Sequence, residues 1–214
     1  MLQKLLLPLI FVSLISTSFG QKSRKGLLFP TKLGVQFTQG NEQSFLFDDP
    51  DYFYRTNTIK LQFHYPLTQW KKLDISLIIQ PQIQFIQHQL YNEQFVLPEE
   101  DKYLEKRARY TKLKNVSISA IEFTIDVKKQ LLKNTSLFLQ FGLGLAIIDT
   151  STERLIKGFT FIENANIGVE YSINAKTSVR LFSGIGHVSN LNFQLPNAGY
   201  NIFNTGVSLQ YSLE

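Results

Sequence analysis

Apolar and polar residues alternate one for one through most of the chain beyond residue 30. Leu33, Val35 and Phe37 oppose Lys32, Gln36 and Thr38, and Ile59, Leu61, Phe63 and Tyr65 oppose Lys60, Gln62 and His64. The same rhythm recurs over residues 73–85, 121–127, 136–145, 166–173, 179–186 and 203–211. A period of two places successive side chains on opposite faces of a strand, so each run predicts a strand with one apolar face. After the N-terminal segment no stretch has the unbroken apolar length of a spanning helix. Eight runs of roughly ten residues match the strand length and even count of a small outer-membrane barrel.

Alternation alone also fits a soluble barrel, with the apolar face turned inward. Two features choose the membrane. The polar face carries Glu122, Asp126, Glu170 and Arg180 in mid-run, which suits an ion-paired lumen. The connections also alternate in length, long at residues 40–57, 89–115, 147–158 and 190–200 and short at 68–72, 128–135 and 174–176. Short periplasmic turns opposite longer outer loops are characteristic of such barrels. The fold expected is all-β, an eight-stranded antiparallel up-and-down outer-membrane β-barrel. The charged stretch 97–114, with Glu99-Glu-Asp101 and Lys106-Arg-Ala-Arg109, reads as a solvated loop or as a contact with anionic head groups.

Composition narrows the partners. The 214 residues fit one domain or one barrel, and 18 Phe, 9 Tyr and only 18% charged residues suit β structure with much apolar surface. The net charge of +5 is scattered, without a basic stripe, so nucleic acid is not an expected partner. With no Cys, disulfides and thiolate metal sites are excluded. His64, His88 and His187 are too widely spaced for a metal motif, so no metal or cofactor is expected. At the N-terminus Lys4 precedes the apolar run Leu5–Ile15, and Ser18-Phe-Gly20 offers a small-x-small cleavage step. That is the pattern of a secretory signal peptide over residues 1–20, leaving residues 21–214 as the mature barrel domain. The apolar run is short for an uncleaved membrane anchor.

The candidate chemistry lies near the C-terminus. His187 and Ser189 end the seventh run, and Asn201 precedes Phe203 in the eighth. All three share the parity of the apolar positions, which puts them on the lipid-facing surface. With the N-terminus in the periplasm the seventh strand runs outward, so they sit at outer-leaflet depth, with neighbouring strand ends side by side. A Ser hydroxyl beside an imidazole can be activated as a nucleophile with the His as general base. The alternative is a set of interfacial polar groups hydrogen-bonded to head groups and water.

Residues 141–211 resemble the PagL-type lipid A 3-O-deacylases, the acyloxyacyl hydrolase-like family of eight-stranded outer-membrane barrels. The resemblance rests on Gly142-Leu-Gly144, Lys157-Gly-Phe-Thr-Phe161, Asn166-Ile-Gly-Val-Glu-Tyr171, and above all His187-Val-Ser189-Asn190 followed by Pro196-Asn197-Ala-Gly199. It implies an esterase in the outer membrane of a Gram-negative bacterium, acting on lipid A of the outer leaflet without a cofactor. By that resemblance Ser189 is the nucleophile and His187 the base, while Asn190 and Asn197 form or hold an oxyanion hole. One position departs: the family completes its triad with a Glu where this chain has Asn201. No acid lies between Gln194 and Leu213 to replace it by a shift of register. Two other readings stand beside the enzyme, a catalytically silent barrel with a structural or lipid-binding role and a small adhesin-like or porin-like barrel.

Overall fold

The computed structural model describes residues 29–42 and 50–213, so the signal-peptide reading lies outside the described residues. Eight strands form one closed antiparallel barrel in sequence order: β1 (Lys32–Asn41), β2 (Tyr52–Trp70), β3 (Leu73–Leu90), β4 (Lys114–Leu132), β5 (Thr135–Ile148), β6 (Gly158–Ser172), β7 (Thr177–Ser189) and β8 (Tyr200–Ser212). β8 pairs back onto β1 over ten residue pairs, from Lys32↔Ser212 to Asn41↔Phe203, which leaves no open edge. The β2–β3 turn is only Lys71 and Lys72, both at positive φ (47° and 67°). That backbone twist matches the strands of a tight hairpin. No helix among the described residues is long and apolar enough to cross a membrane.

The apolar members of the runs face outward, where Val35, Leu61, Leu139, Leu181 and Leu209 are exposed. Their polar partners fill the lower interior. Arg180 holds Asp126 through two bonds, at 2.7 and 3.1 Å, and Glu170 through Nε at 2.6 Å. Lys60 meets Glu122 at 2.6 Å, and Gln82 and Asn164 each donate to the same carboxylate oxygen at 2.9 Å. Buried charges are tolerated when paired and hydrogen-bonded. The four mid-run charges are thus lumen residues, and eight strands leave a lumen that side chains can fill.

Toward the loop end the interior changes character. Tyr52, Tyr54, Ile86, Leu90, Ile118 and Ile148 point inward and belong to one buried apolar cluster. Strands β2, β4 and β6 therefore begin earlier than their alternating runs suggest, at Tyr52, Lys114 and Gly158. There the alternation of the runs is lost or reversed: on β4 Val116, Ile118 and Ala120 point inward while Asn115, Ser117 and Ser119 face out, and on β6 Thr160, Ile162 and Asn164 point inward while Phe161 and Glu163 face out. The stretch expected as a simple loop is built differently too. It carries a 3₁₀ turn (Glu93–Phe95) and a short helix α1 (Tyr103–Tyr110). Arg107 anchors the two by donating to the Val96 carbonyl at 2.8 and 3.0 Å, and Val96 is buried in the apolar cluster. Glu100 and Lys106 stay at the surface, paired at 2.9 Å. The hydrogen bond from Lys106 holds the Glu100 carboxyl below its ordinary range.

Candidate active site

The ends of β7 and β8 are fastened from inside. Val188, Tyr200 and Ile202 point into the apolar cluster, and Tyr54 donates its hydroxyl to the Asn201 carbonyl at 2.7 Å. Because side chains alternate, each inward anchor forces its neighbours outward. His187, Ser189 and Asn201 therefore emerge together on the outer surface, where the sequence parity placed them.

His187 and Asn201 are direct cross-strand partners. Nδ1 of the ring lies 2.7 Å from Asn201 Oδ1. A carboxamide oxygen only accepts, so with this partner Nδ1 carries the proton and Nε2 presents its lone pair. Ser189 follows two residues further along the same face of β7, almost wholly buried at 7% exposure, and pairs with Phe161 of β6.

The loop after Ser189 is held by its own amides. The Asn190 backbone N–H donates to Asn197 Oδ1 at 2.6 Å, Asn190 Nδ2 to the Gln194 carbonyl at 2.8 Å, and Asn197 Nδ2 to Asn192 Oδ1 at 3.1 Å. These two residues thus hold the loop beside Ser189, with their principal donors already engaged. Gly199 closes it at φ +64°, where a Cβ would stand 2.6 Å from the Val188 carbonyl oxygen and 3.2 Å from His187 Cε1. Glycine is needed there for its left-handed backbone and for the space beside the imidazole.

Three contributors escape a reading by motif. The β5–β6 loop grips the 190–199 loop from the side: the Arg154 carbonyl accepts from Ala198 and Gly199 at 2.8 and 3.2 Å, and Leu155 bridges Asn197. Leu155 is fully buried in the apolar cluster and ties that grip to the interior. The third contributor is Glu163. It faces outward on β6 as the direct cross-strand partner of His187, on the side away from Asn201. Parity could have found it, since Ile167, Val169 and Tyr171 define the outward positions of β6 and Glu163 shares them. Among the described residues no group of three or more His, Asp or Glu is placed to hold a metal ion.

The chain has the fold of the solved outer membrane enzyme PagL, with a TM-score of 0.53, 11% identity, and 83% of this chain and 97% of that one covered. Neisserial surface protein A follows at a TM-score of 0.44 and 10% identity, covering 85% of this chain and 96% of that one. No curated protein matches in sequence. The model of the lipid A 3-O-deacylase (PagL) family matches residues 57–210, which takes in β3 to β7 whole, most of β2 and β8, and the whole His187–Asn201 site. On that match this outer-membrane β-barrel belongs to the lipid A 3-O-deacylase (PagL) family.

Proposed function

We propose that the protein is an esterase of the outer leaflet that removes an ester-linked acyl chain from lipid A, with Ser189 as nucleophile and His187 as general base. The observation that carries this reading is the 2.7 Å contact between His187 Nδ1 and Asn201 Oδ1 on the lipid-facing surface, with Ser189 on the same face. That contact fixes the tautomer in which Nε2 is free to take a proton. His187 removes the Ser189 hydroxyl proton as Oγ attacks the ester carbonyl, giving a tetrahedral oxyanion. The imidazolium then returns the proton to the departing sugar alkoxide, leaving an acyl-Ser189 ester. Water, deprotonated by His187, attacks that ester and releases the fatty acid and free Ser189. Asn190 and Asn197 support the reaction by holding the loop beside Ser189. A substrate that is itself a membrane lipid suits a site opening sideways into the leaflet.

Asn201 is what favours the second reading, a silent barrel. In serine-protease triads, replacing the acid by its amide costs about 10⁴-fold, largely through the wrong tautomer. Here the amide oxygen is the partner, so the tautomer is right and only the negative charge is missing. Mass spectrometry of lipid A from cells expressing the wild type or Ser189→Ala decides between the readings. The expected result is loss of one acyl chain with the wild type alone. Identical spectra from both, with both proteins folded in the membrane, overturn the enzyme.

A further inference from the structure

We propose that Glu163, reaching across from β6, supplies the negative charge that Asn201 cannot give to His187. The inference rests on the esterase reading and adds a positioning residue to it. Glu163, His187 and Asn201 form one row across β6, β7 and β8, each the direct partner of the next. All three face outward, and the Cβ atoms of opposed residues in such a row lie about 4.5–5.5 Å apart.

Its surroundings make Glu163 stand out. On β5 it faces Leu143, and Phe161 and Ala165 flank it along its own strand and face. Apart from His187, the outward positions of β5 to β8 hold no other acidic or basic side chain. A carboxylate turned toward hydrocarbon is costly, so acids in such places are rare and paired with a partner. The ionisable neighbour in its row is the imidazole. Nδ1 is already taken by Asn201, so Glu163 acts as a charge beside the ring. The two roles of a triad acid are thereby divided. Asn201 sets the tautomer and orientation, and Glu163 stabilises the imidazolium formed when His187 takes the Ser189 proton. With water largely excluded, such a charge acts strongly over several ångströms.

The other elements packed against His187 bring little competing charge. The outward face of β8 and the 190–199 loop carry no Asp, Glu, Lys, Arg or His, and the phenol of Tyr211 lies at the far end of β8. In the β5–β6 loop, Arg154 lies 3.9 Å over the Tyr52 ring within the barrel mouth and donates to the Gly199 carbonyl at 3.5 Å. Of that loop's other charges, Glu153 is buried and paired with His88 at 3.0 Å, Asp149 accepts from the Ser117 N–H at 2.9 Å, and Lys157 is exposed, so the anionic role on the outer wall falls to Glu163.

The test uses the refolded full barrel with lipid A in mixed micelles, comparing wild type, Glu163→Gln, Glu163→Asp and the double variant Glu163→Gln/Asn201→Glu. Glu163→Gln is expected to lower kcat about 10- to 100-fold with KM little changed. The acid limb of kcat/KM moves to lower pH, because removing a nearby anion makes the imidazolium easier to deprotonate. Glu163→Asp keeps much of the activity, and the double variant recovers most of kcat by returning the charge from β8. A Glu163→Gln enzyme with unchanged kcat and acid limb overturns the inference. A second readout needs no turnover: NMR titration of the His187 ring in a Ser189→Ala background. There Glu163→Gln moves the midpoint to lower pH, and an unmoved midpoint also overturns the inference. If Glu163→Gln does not fold, the titration is made with Glu163→Asp, whose shorter side chain withdraws the charge and lowers the midpoint by a smaller amount. Activity retained by Ser189→Ala would instead sink the esterase reading while leaving the titration result in force.

Discussion

The two faces of this barrel both take polar side chains out of water, and they treat them in opposite ways. Inside, charge is satisfied by charge: Arg180 is clasped by Asp126 and Glu170, and Lys128 adds a further contact to Glu170 at 3.1 Å. Glu122 likewise gathers Lys60, Gln82 and Asn164 on one oxygen. Outside, the members of the row of Glu163, His187 and Asn201 share a single side-chain hydrogen bond, and Ser189 stands beside it on a mostly apolar wall. The inner groups complete one another, which suits a structural role. The outer ones are left incomplete, which suits a reaction that a lipid completes.

The sharpest way to break the contrast is to unbalance the interior. Arg180→Met strands two buried carboxylates, and removing one partner of a buried ion pair typically costs about 3–5 kcal/mol. Denaturant unfolding of the refolded barrel is expected to show a loss of that size, while deacylation per folded molecule stays within about twofold of wild type. A large fall in specific activity at unchanged stability would erase the division between the faces.

A smaller effect is expected where the two faces meet. Gly199→Ala forces a side chain onto a left-handed backbone, against the Val188 carbonyl and the His187 ring. The strain is on the order of 1–2 kcal/mol. The displaced imidazole should lower kcat by about tenfold or more, since small misplacements of catalytic groups are costly. Thermal unfolding and kcat measured on the same preparation check this, and a wild-type kcat would show that Gly199 does not position the ring.

The smallest change is expected from Asn201→Glu. A carboxylate there can accept the same Nδ1 proton and adds the charge assigned to Glu163, so activity should hold or rise by a few-fold. A collapse of kcat, measured on lipid A in mixed micelles, would mean that two carboxylates cannot share one imidazole and that the site is built around the amide.

Much of the architecture was legible because alternation is a strong local signal wherever one strand face is polar and the other apolar. It failed toward the loop end, where that pattern breaks down or turns inside out. Tyr52 and Tyr54 point inward beside outward Phe53, so the first turns of β2 looked like loop. At the start of β6 each face mixes polar and apolar residues, Thr160, Ile162 and Asn164 inward and Phe161 and Glu163 outward, so the sixth run is recognisable only from Asn166 onward and Glu163 was hidden. The charged stretch before β4 concealed α1, since what fixes that helix is the distant seating of Val96 in the apolar cluster.

Parity along each strand is a property of the sequence alone. It placed His187, Ser189 and Asn201 on the lipid-facing wall and the four lumen charges on the other, because side chains must alternate on a pleated backbone. Register between strands is not local. Turn geometry and the packing of residues far apart in the chain set it, and a slip of one residue would turn every side chain to the opposite face. Only the closed barrel therefore decided that Asn201 lies on one side of His187 and Glu163 on the other. The tertiary structure likewise decided that the β5–β6 loop grips the turn beside Ser189.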